Sequence, residues 1–197
     1  MTATIHKSCV ALATVEELPE ATRKRDDAER TASRVAARRA IRGIVGGNGT
    51  IELLAQASRA PAVRIRGNGR CAPPVLSLSH RDGKAAAIAA PAGERVGIDV
   101  ERLAPLDAAH ARRFLTTREQ KCEISLPLAM LWSLKEAFWK ALGLNGSVAF
   151  RELELDIDRD GRVRGIYFRN EWRRAAGTIA APWPGYVMAV VSVESAR

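Results

Sequence analysis

Four residues in this chain have types and spacing suited to chemistry as well as packing: Glu136 and Lys140, four apart on one stretch, and Asp99 and Glu101, two apart on another. Over 131–143 a period of 3.6 sets Leu131, Leu134, Phe138, Ala141 and Leu142 along one apolar stripe of a short helix. The same period gathers Ser133, Glu136 and Lys140 on the opposite side. Gly143 supplies the helix stop. Trp132 and Trp139 flank the polar side, so Glu136 and Lys140 are framed by large rings where a solvated face carries small polar groups. The plainer reading is an i,i+4 ion pair, worth about 0.2–0.5 kcal/mol on an exposed helix. The second pair argues for more. In Val96-Gly97-Ile98-Asp99-Val100-Glu101 a strand period of two turns both carboxylates to one face, and Val96, Ile98 and Val100 toward a core. Three carboxylates and a lysine are thereby expected to converge, acceptor oxygens beside a cationic donor.

The elements around them must come from 197 residues that are 47% hydrophobic, enough for one sizeable core or two small packed halves. A formal charge of +9, from 31 Lys+Arg against 22 Asp+Glu, favours a polyanionic ligand or an acidic protein partner, nucleic acid being one such ligand. Cys9, Cys71 and Cys122 are odd in number and widely spaced, which indicates neither a disulfide framework nor a zinc site and fits a reducing cytoplasm. No stretch reaches the roughly 18 apolar residues of a membrane span, and the N-terminus lacks a signal-peptide layout. A soluble cytoplasmic protein without a membrane partner is expected.

Taken in order, residues 4–15 contain a first strand, and 21–45 read as one basic amphipathic helix ended by Gly46-Gly47-Asn48-Gly49. Its arginine face is open to three readings: a solvated surface, a phosphate-binding face or a nucleic-acid face. Residues 50–58 read as a short helix and 60–66 as a strand. The alternating 75–80 segment, with Ser77 and Ser79 on one face and His80 at its end, pairs through an Arg81-Asp82-Gly83 turn with a small-residue strand over 84–90. Pro91-Ala92-Gly93 marks the boundary between two halves, 1–92 and 93–197. Beyond it a helix is expected over 107–115, with Thr116 or Thr117 capping another. A hairpin over 148–158 and 162–169 follows the central helix, and a closing strand occupies 187–193. The order is α+β.

These residues resemble the 4′-phosphopantetheinyl transferases, in particular their longer, single-chain Sfp-type branch. The family pattern Gly-x-Asp-x-Glu, followed by Trp-Ser-x-Lys-Glu-x-x-x-Lys, is matched by Gly97-Ile98-Asp99-Val100-Glu101 and Trp132-Ser133-Leu134-Lys135-Glu136-Ala137-Phe138-Trp139-Lys140. Leu76-Ser77-Leu78-Ser79-His80 is similar to the family's Ser-His strand. Arg113-Phe114-Leu115-Thr116-Thr117-Arg118-Glu119 is similar to the segment between its metal motifs, and Gly185-Tyr186-Val187-Met188-Ala189-Val190 to its last strand. Where the family often carries Gly-Lys-Pro or Gly-Arg-Pro, this chain reads Arg59-Ala60-Pro61.

The resemblance implies two similar α+β halves about a pseudo-twofold axis, with coenzyme A in the cleft between them. It implies transfer of the 4′-phosphopantetheine group of coenzyme A to a serine of an apo acyl or peptidyl carrier protein, with adenosine 3′,5′-bisphosphate leaving. By resemblance Asp99, Glu101 and Glu136 hold Mg2+, or Mn2+ in its place, a hard cation that suits oxygen ligands. Glu136 doubles as general base, Lys140 stabilises phosphate charge, and Arg30, Thr31, Ser79 and His80 contact the nucleotide and its 3′-phosphate. The implied partner is an acidic carrier protein met by a monomer. Its docking surface is expected over 102–120 together with the exposed edge of the central helix; in that segment Arg112, Arg113 and Arg118 are the charged candidates, and Phe114 and Leu115 either touch the partner or anchor the segment from below. The alternative function, a basic nucleic-acid-binding protein, explains the +9 charge but not the clustered carboxylates, which repel phosphate unless a cation bridges them.

Overall fold

The computed structural model describes residues 8–23, 27–46, 49–54, 62–67, 72–121, 126–144, 146, 148–158 and 160–194. The first half contributes β1 (Cys9–Thr14), α1 (Glu20–Arg23), α2 (Ala28–Val45), β2 (Thr50–Leu54), β3 (Ala62–Arg66), β4 (Val75–Arg81) and β5 (Lys84–Ala90). The second contributes β6 (Arg95–Arg102), α3 (Ala108–Phe114), α4 (Thr117–Lys121), α5 (Leu128–Ala141), β7 (Leu153–Ile157), β8 (Val163–Phe168), β9 (Glu171–Ala180) and β10 (Tyr186–Val193). The fold is α+β, as expected.

Strands β1, β5 and β4 form one antiparallel sheet in that order, and α2 lies across it. The contact is built largely from alanine: Ala32, Ala36, Ala37 and Ala40 of α2 meet Ala13, Ala85, Ala87 and Ala89, all fully buried. Small side chains let a helix approach a sheet closely. The opposite face of β5, Ala86, Ile88 and Ala90, packs on Val96, Ile98 and Val100 of β6 and on Met188 and Val190 of β10. Buried on both faces, β5 carries small apolar residues nearly throughout. The second sheet runs β6-β10-β9-β8-β7, with α5 against it over a core that includes Phe114, Leu131, Leu134, Phe138, Leu153, Ile166 and Val191.

This layering separates the two faces of β6 as the alternation requires. Val96, Ile98 and Val100 enter the core shared by the two sheets, while Gly97, Asp99 and Glu101 face α5. Gly97 has a steric reason: a Cβ there would lie 1.9 Å from the Ala137 carbonyl oxygen. The missing side chain brings α5 against the strand that carries the acids.

Three expectations change. Residues 50–54 form strand β2, paired antiparallel with β3 through Ile51 opposite Ile65 and Leu53 opposite Val63. The β-branched Thr50 and Ile51 and these cross-strand pairs outweigh helix formation, and Glu52 bonds the neighbouring Arg66 at 2.7 Å. The remainder of that expected helix, and Arg59, lie outside the described residues. The expected 21–45 helix is described as two pieces, α1 and α2. Finally, β9 was not foreseen. Arg169 and Asn170 both have positive φ, 52° and 66°, a two-residue hairpin turn that returns the chain from β8.

Candidate active site

The carboxylates of Asp99, Glu101 and Glu136 converge, each offering an oxygen so placed that the three lie within 4.8 Å of one another. Strand β6 supplies two of them from one face, and α5, held close by Gly97, supplies the third. Lys140, one turn beyond Glu136, sits 3.8 Å from its carboxylate and donates to Asp99 Oδ1 at 2.7 Å. It also donates to Ser79 Oγ and to the Ile98 carbonyl, both at 3.2 Å. Asp99 is 1% exposed. Its Oδ1 receives Ser79 Oγ at 2.9 Å as well as Lys140, whereas its Oδ2 is buried with no hydrogen-bond partner among the described residues.

Such crowding has an electrostatic consequence. Burial first, and the charge of Asp99 second, push the Glu136 carboxyl up to about 7, a hydrogen bond to Asp99 favouring the protonated form and the Lys140 charge opposing the shift. Burial and Asp99 likewise raise Glu101, against the pull of Arg81 at 3.8 Å and the indole N–H of Trp132 at 3.3 Å. Two outcomes relieve an acidic cluster of this kind: a proton held on Glu136, or a cation. The donor set is all oxygen, with a buried carboxylate oxygen left free, and it fits a hard divalent cation.

The remaining expected site residues lie on the side of the first half. His80, exposed at the end of β4, places Nδ1 3.4 Å from Glu29 Oε2, and Glu29 also accepts the Gly83 N–H at 2.6 Å. These contacts bring the first turn of α2, which carries exposed Arg30 and half-buried Thr31, beside His80. Ser79, 8% exposed, turns the other way, into the acidic cluster. Its hydroxyl is used there.

The helix itself departs from the simple two-faced reading. Ser133, expected on a polar side, is fully buried and donates to the Asp99 carbonyl at 3.4 Å. Trp132 packs edge-on against Phe114 at 5.1 Å and tilts against Phe150, and Trp139 stacks on Phe150. Lys135 is fully buried, and donates to Glu119 Oε2 at 2.6 Å and to the Phe114 carbonyl at 2.7 Å. Burial holds its ammonium below the usual lysine range while the Glu119 charge works against that shift. Residue reasoning assigned this pair no role. The signal was present: Leu131, Lys135, Phe138 and Leu142 follow at i, i+4, i+7 and i+11, so Lys135 falls within the apolar arc. Thr116 does cap α4, its N–H donating to Glu119 Oε2 and its Oγ1 accepting the Glu119 N–H, a reciprocal capping box. Of the two readings of Phe114 and Leu115, the structure favours the anchor, at 2% and 5% exposure.

Comparison with known proteins bears on the same residues. Residues 95–191, which carry both acidic motifs, match the family model of the 4′-phosphopantetheinyl transferase superfamily. A 4′-phosphopantetheinyl transferase of Bacillus pumilus is 35% identical over 75 residues, covering 34% of this chain and 32% of the relative. The match thus spans about a third of that relative's length. Among solved structures, the holo-[acyl-carrier-protein] synthase of Thermotoga maritima is 25% identical with a TM-score of 0.41, over 51% of this chain and 63% of that one. The Neisseria meningitidis holo-[acyl-carrier-protein] synthase is 24% identical with a TM-score of 0.39, over 51% of this chain and 97% of that one. Over residues 95–191, the chain is thus similar to the 4′-phosphopantetheinyl transferase superfamily.

Proposed function

We propose that this protein transfers the 4′-phosphopantetheine group of coenzyme A to a serine of an apo carrier protein of the acyl or peptidyl type, in the cytoplasm. The observation that carries the reading is the meeting of Asp99, Glu101 and Glu136 within 4.8 Å, with one buried Asp99 oxygen left free and Lys140 alongside. A phosphoryl-transfer centre needs a place where negative charge is gathered and balanced, because the reacting group is itself polyanionic.

In this reading the serine Oγ of the carrier attacks the β-phosphorus of coenzyme A. The bond to the bridging oxygen breaks, and adenosine 3′,5′-bisphosphate leaves with that oxygen. The serine proton passes to Glu136, the carboxylate that α5 holds beside Asp99 and Lys140. Asp99, Glu101 and Glu136 would hold Mg2+ or Mn2+, which supplies neutralisation and orientation of the pyrophosphate. Lys140 provides a fixed positive charge beside the transferring group, anchored by three acceptors. For the nucleotide end we assign Arg30, Thr31, Ser79, His80 and Lys140 as coenzyme A contacts. Residues 1–92 form the nucleotide side of the cleft and 93–197 the cation side, the halves being related by a pseudo-twofold axis.

The partner we assign is an acidic carrier met by a monomer, with the docking face over 102–120. Exposed Arg112 and Arg113 are its charged contacts, and an open apolar hollow lined by Leu103, Pro105, Leu106 and Leu128 lies beside them in sequence and on the neighbouring end of α5. The deciding experiment is incubation with coenzyme A, Mg2+ and a panel of apo carriers, read by mass spectrometry. A phosphopantetheine increment on a carrier serine is the expected result. Tight nucleic-acid binding at physiological salt, with no modification of any carrier, would overturn it.

A further inference from the structure

The seam between the two sheets is made by side chains where a ladder would use backbone. Ser77 and Ser79 occupy one face of β4, are 4% and 8% exposed, and turn toward β6. Ser77 Oγ accepts the Ile98 N–H at 3.2 Å, and Ser79 Oγ accepts the Val100 N–H at 3.1 Å. Toward the backbone of β6 the two serines do the same work. They differ in what else they touch: Ser79 Oγ also receives Lys140 Nζ at 3.2 Å and lies 2.9 Å from Asp99 Oδ1.

A hydroxyl has one proton and two acceptor lone pairs. A backbone N–H and an ammonium can only donate, so Val100 and Lys140 take both lone pairs of Ser79. An ionised carboxylate can only accept, so the remaining proton has one destination, Asp99 Oδ1. This direction is forced by the chemistry of the partners. Rotation about the last bond of an aspartate is broad and roughly two-fold, and with Ser79 and Lys140 both on Oδ1 that freedom is lost. The other oxygen, Oδ2, is left buried with no hydrogen-bond partner among the described residues, in a carboxylate that meets those of Glu101 and Glu136 within 4.8 Å.

We propose that Ser79 is a positioning residue for the cation centre: a hydroxyl from the first half fixes which oxygen of Asp99, in the second half, faces the cation. The inference rests on the reading of Asp99, Glu101 and Glu136 as cation ligands. It makes cation affinity depend on the seat of β4 against β6, so the integrity of the seam between halves is written into the site.

Ser77 is the internal control, since it makes the equivalent backbone bond and touches no carboxylate among its described contacts. The test is Mn2+ titration by calorimetry on the full chain, without coenzyme A or carrier, comparing wild type, Ser79→Ala, Ser77→Ala and Ser79→Thr. Ser79→Ala is expected to weaken Mn2+ binding about 10–100-fold, the usual cost of losing an outer-shell partner. Ser77→Ala should lose comparable thermal stability yet keep the wild-type Kd, and Ser79→Thr, which retains the hydroxyl, should restore affinity. In turnover assays Ser79→Ala should raise the half-saturating cation concentration without moving KM for the carrier. Equal weakening in the two alanine variants, or unchanged affinity in Ser79→Ala, would overturn the proposal. So would an increase in KM for coenzyme A with Mn2+ affinity intact, which would leave Ser79 a coenzyme A contact alone. If wild type itself binds no Mn2+, the underlying cation reading fails, an outcome separate from all of these. Should Ser79→Ala not fold, Ser79→Cys, close in size and a weak donor, carries the same comparison with a smaller expected loss.

Discussion

At the scale of single residues, the site is a problem in charge. Asp99→Ala and Glu136→Ala are each expected to abolish carrier modification while the protein stays folded, checked by mass spectrometry of the carrier and by circular dichroism. Near-wild-type turnover in both would remove the cluster from the chemistry. Glu136 also makes a pH prediction. The folded, cation-free protein keeps its proton up to about pH 7, while the unfolded chain releases it near 4.5. Between those values the folded state binds more protons, so stability falls as pH rises through the window, and the loss is complete above it. In chelator the Tm should therefore drop between about pH 5 and about pH 7.5, and a divalent cation should raise Tm more at about pH 8 than at about pH 5. Glu136→Gln, unable to ionise, should flatten both dependences. A flat cation response in wild type would show that the cluster holds no ion.

At the scale of elements, two contacts fix where α5 stands. Gly97→Ala would place a methyl 1.9 Å from the Ala137 carbonyl oxygen, so helix and strand must part. Overpacking of this kind costs about 1–3 kcal/mol, and because Glu136 rides on the displaced helix, cation affinity should fall together with Tm. A variant that lost stability but bound Mn2+ as wild type does would separate packing from site geometry. On the far side of the helix, Lys135 and Glu119 form a fully buried ion pair that joins α5 to α4, and Glu119 carries the Leu155 N–H of β7 at 2.9 Å as well. Removing one charge strands the other. Lys135→Met is expected to cost about 3–5 kcal/mol, and Lys135→Met with Glu119→Gln to recover part of that, measured by urea unfolding. Additive losses would mean the pair is not coupled.

At the scale of the whole molecule, the basic surplus and the buried acidic centre are two parts of one arrangement. A chain of charge +9 attracts anionic partners from a distance, while the carboxylates accept a phosphate group only with a cation among them. Charge reversal at Arg112 and Arg113, both exposed on α3, should raise KM for the carrier and leave KM for coenzyme A unchanged, and the wild-type rate should decline as salt rises. Arg118 is a poorer probe, because it is bound to Glu154 at 2.9 Å and its loss would disturb β7 as well. Weakened coenzyme A binding alone in the Arg112 and Arg113 variants would move the docking face elsewhere.

What the sequence determined by itself follows from periodicity. Alternation along β6 dictates that Asp99 and Glu101 share a face, and the helical period puts Glu136 and Lys140 one turn apart. A residue's face depends only on its own segment, so these relations were legible before any tertiary contact. Most elements of the second half followed in the same way. Tertiary structure alone decided that Ser79 pins one oxygen of Asp99 and leaves the other free, that Lys135 meets Glu119 in the core, and that Phe114 faces inward. It also decided that residues 50–54 extend as a strand, because β3 is there to pair with them. Hydrogen bonds between Ser79 and Asp99, twenty positions apart, or Lys135 and Glu119, sixteen apart, depend on how sheets and helices are stacked. Local period carries no information about stacking.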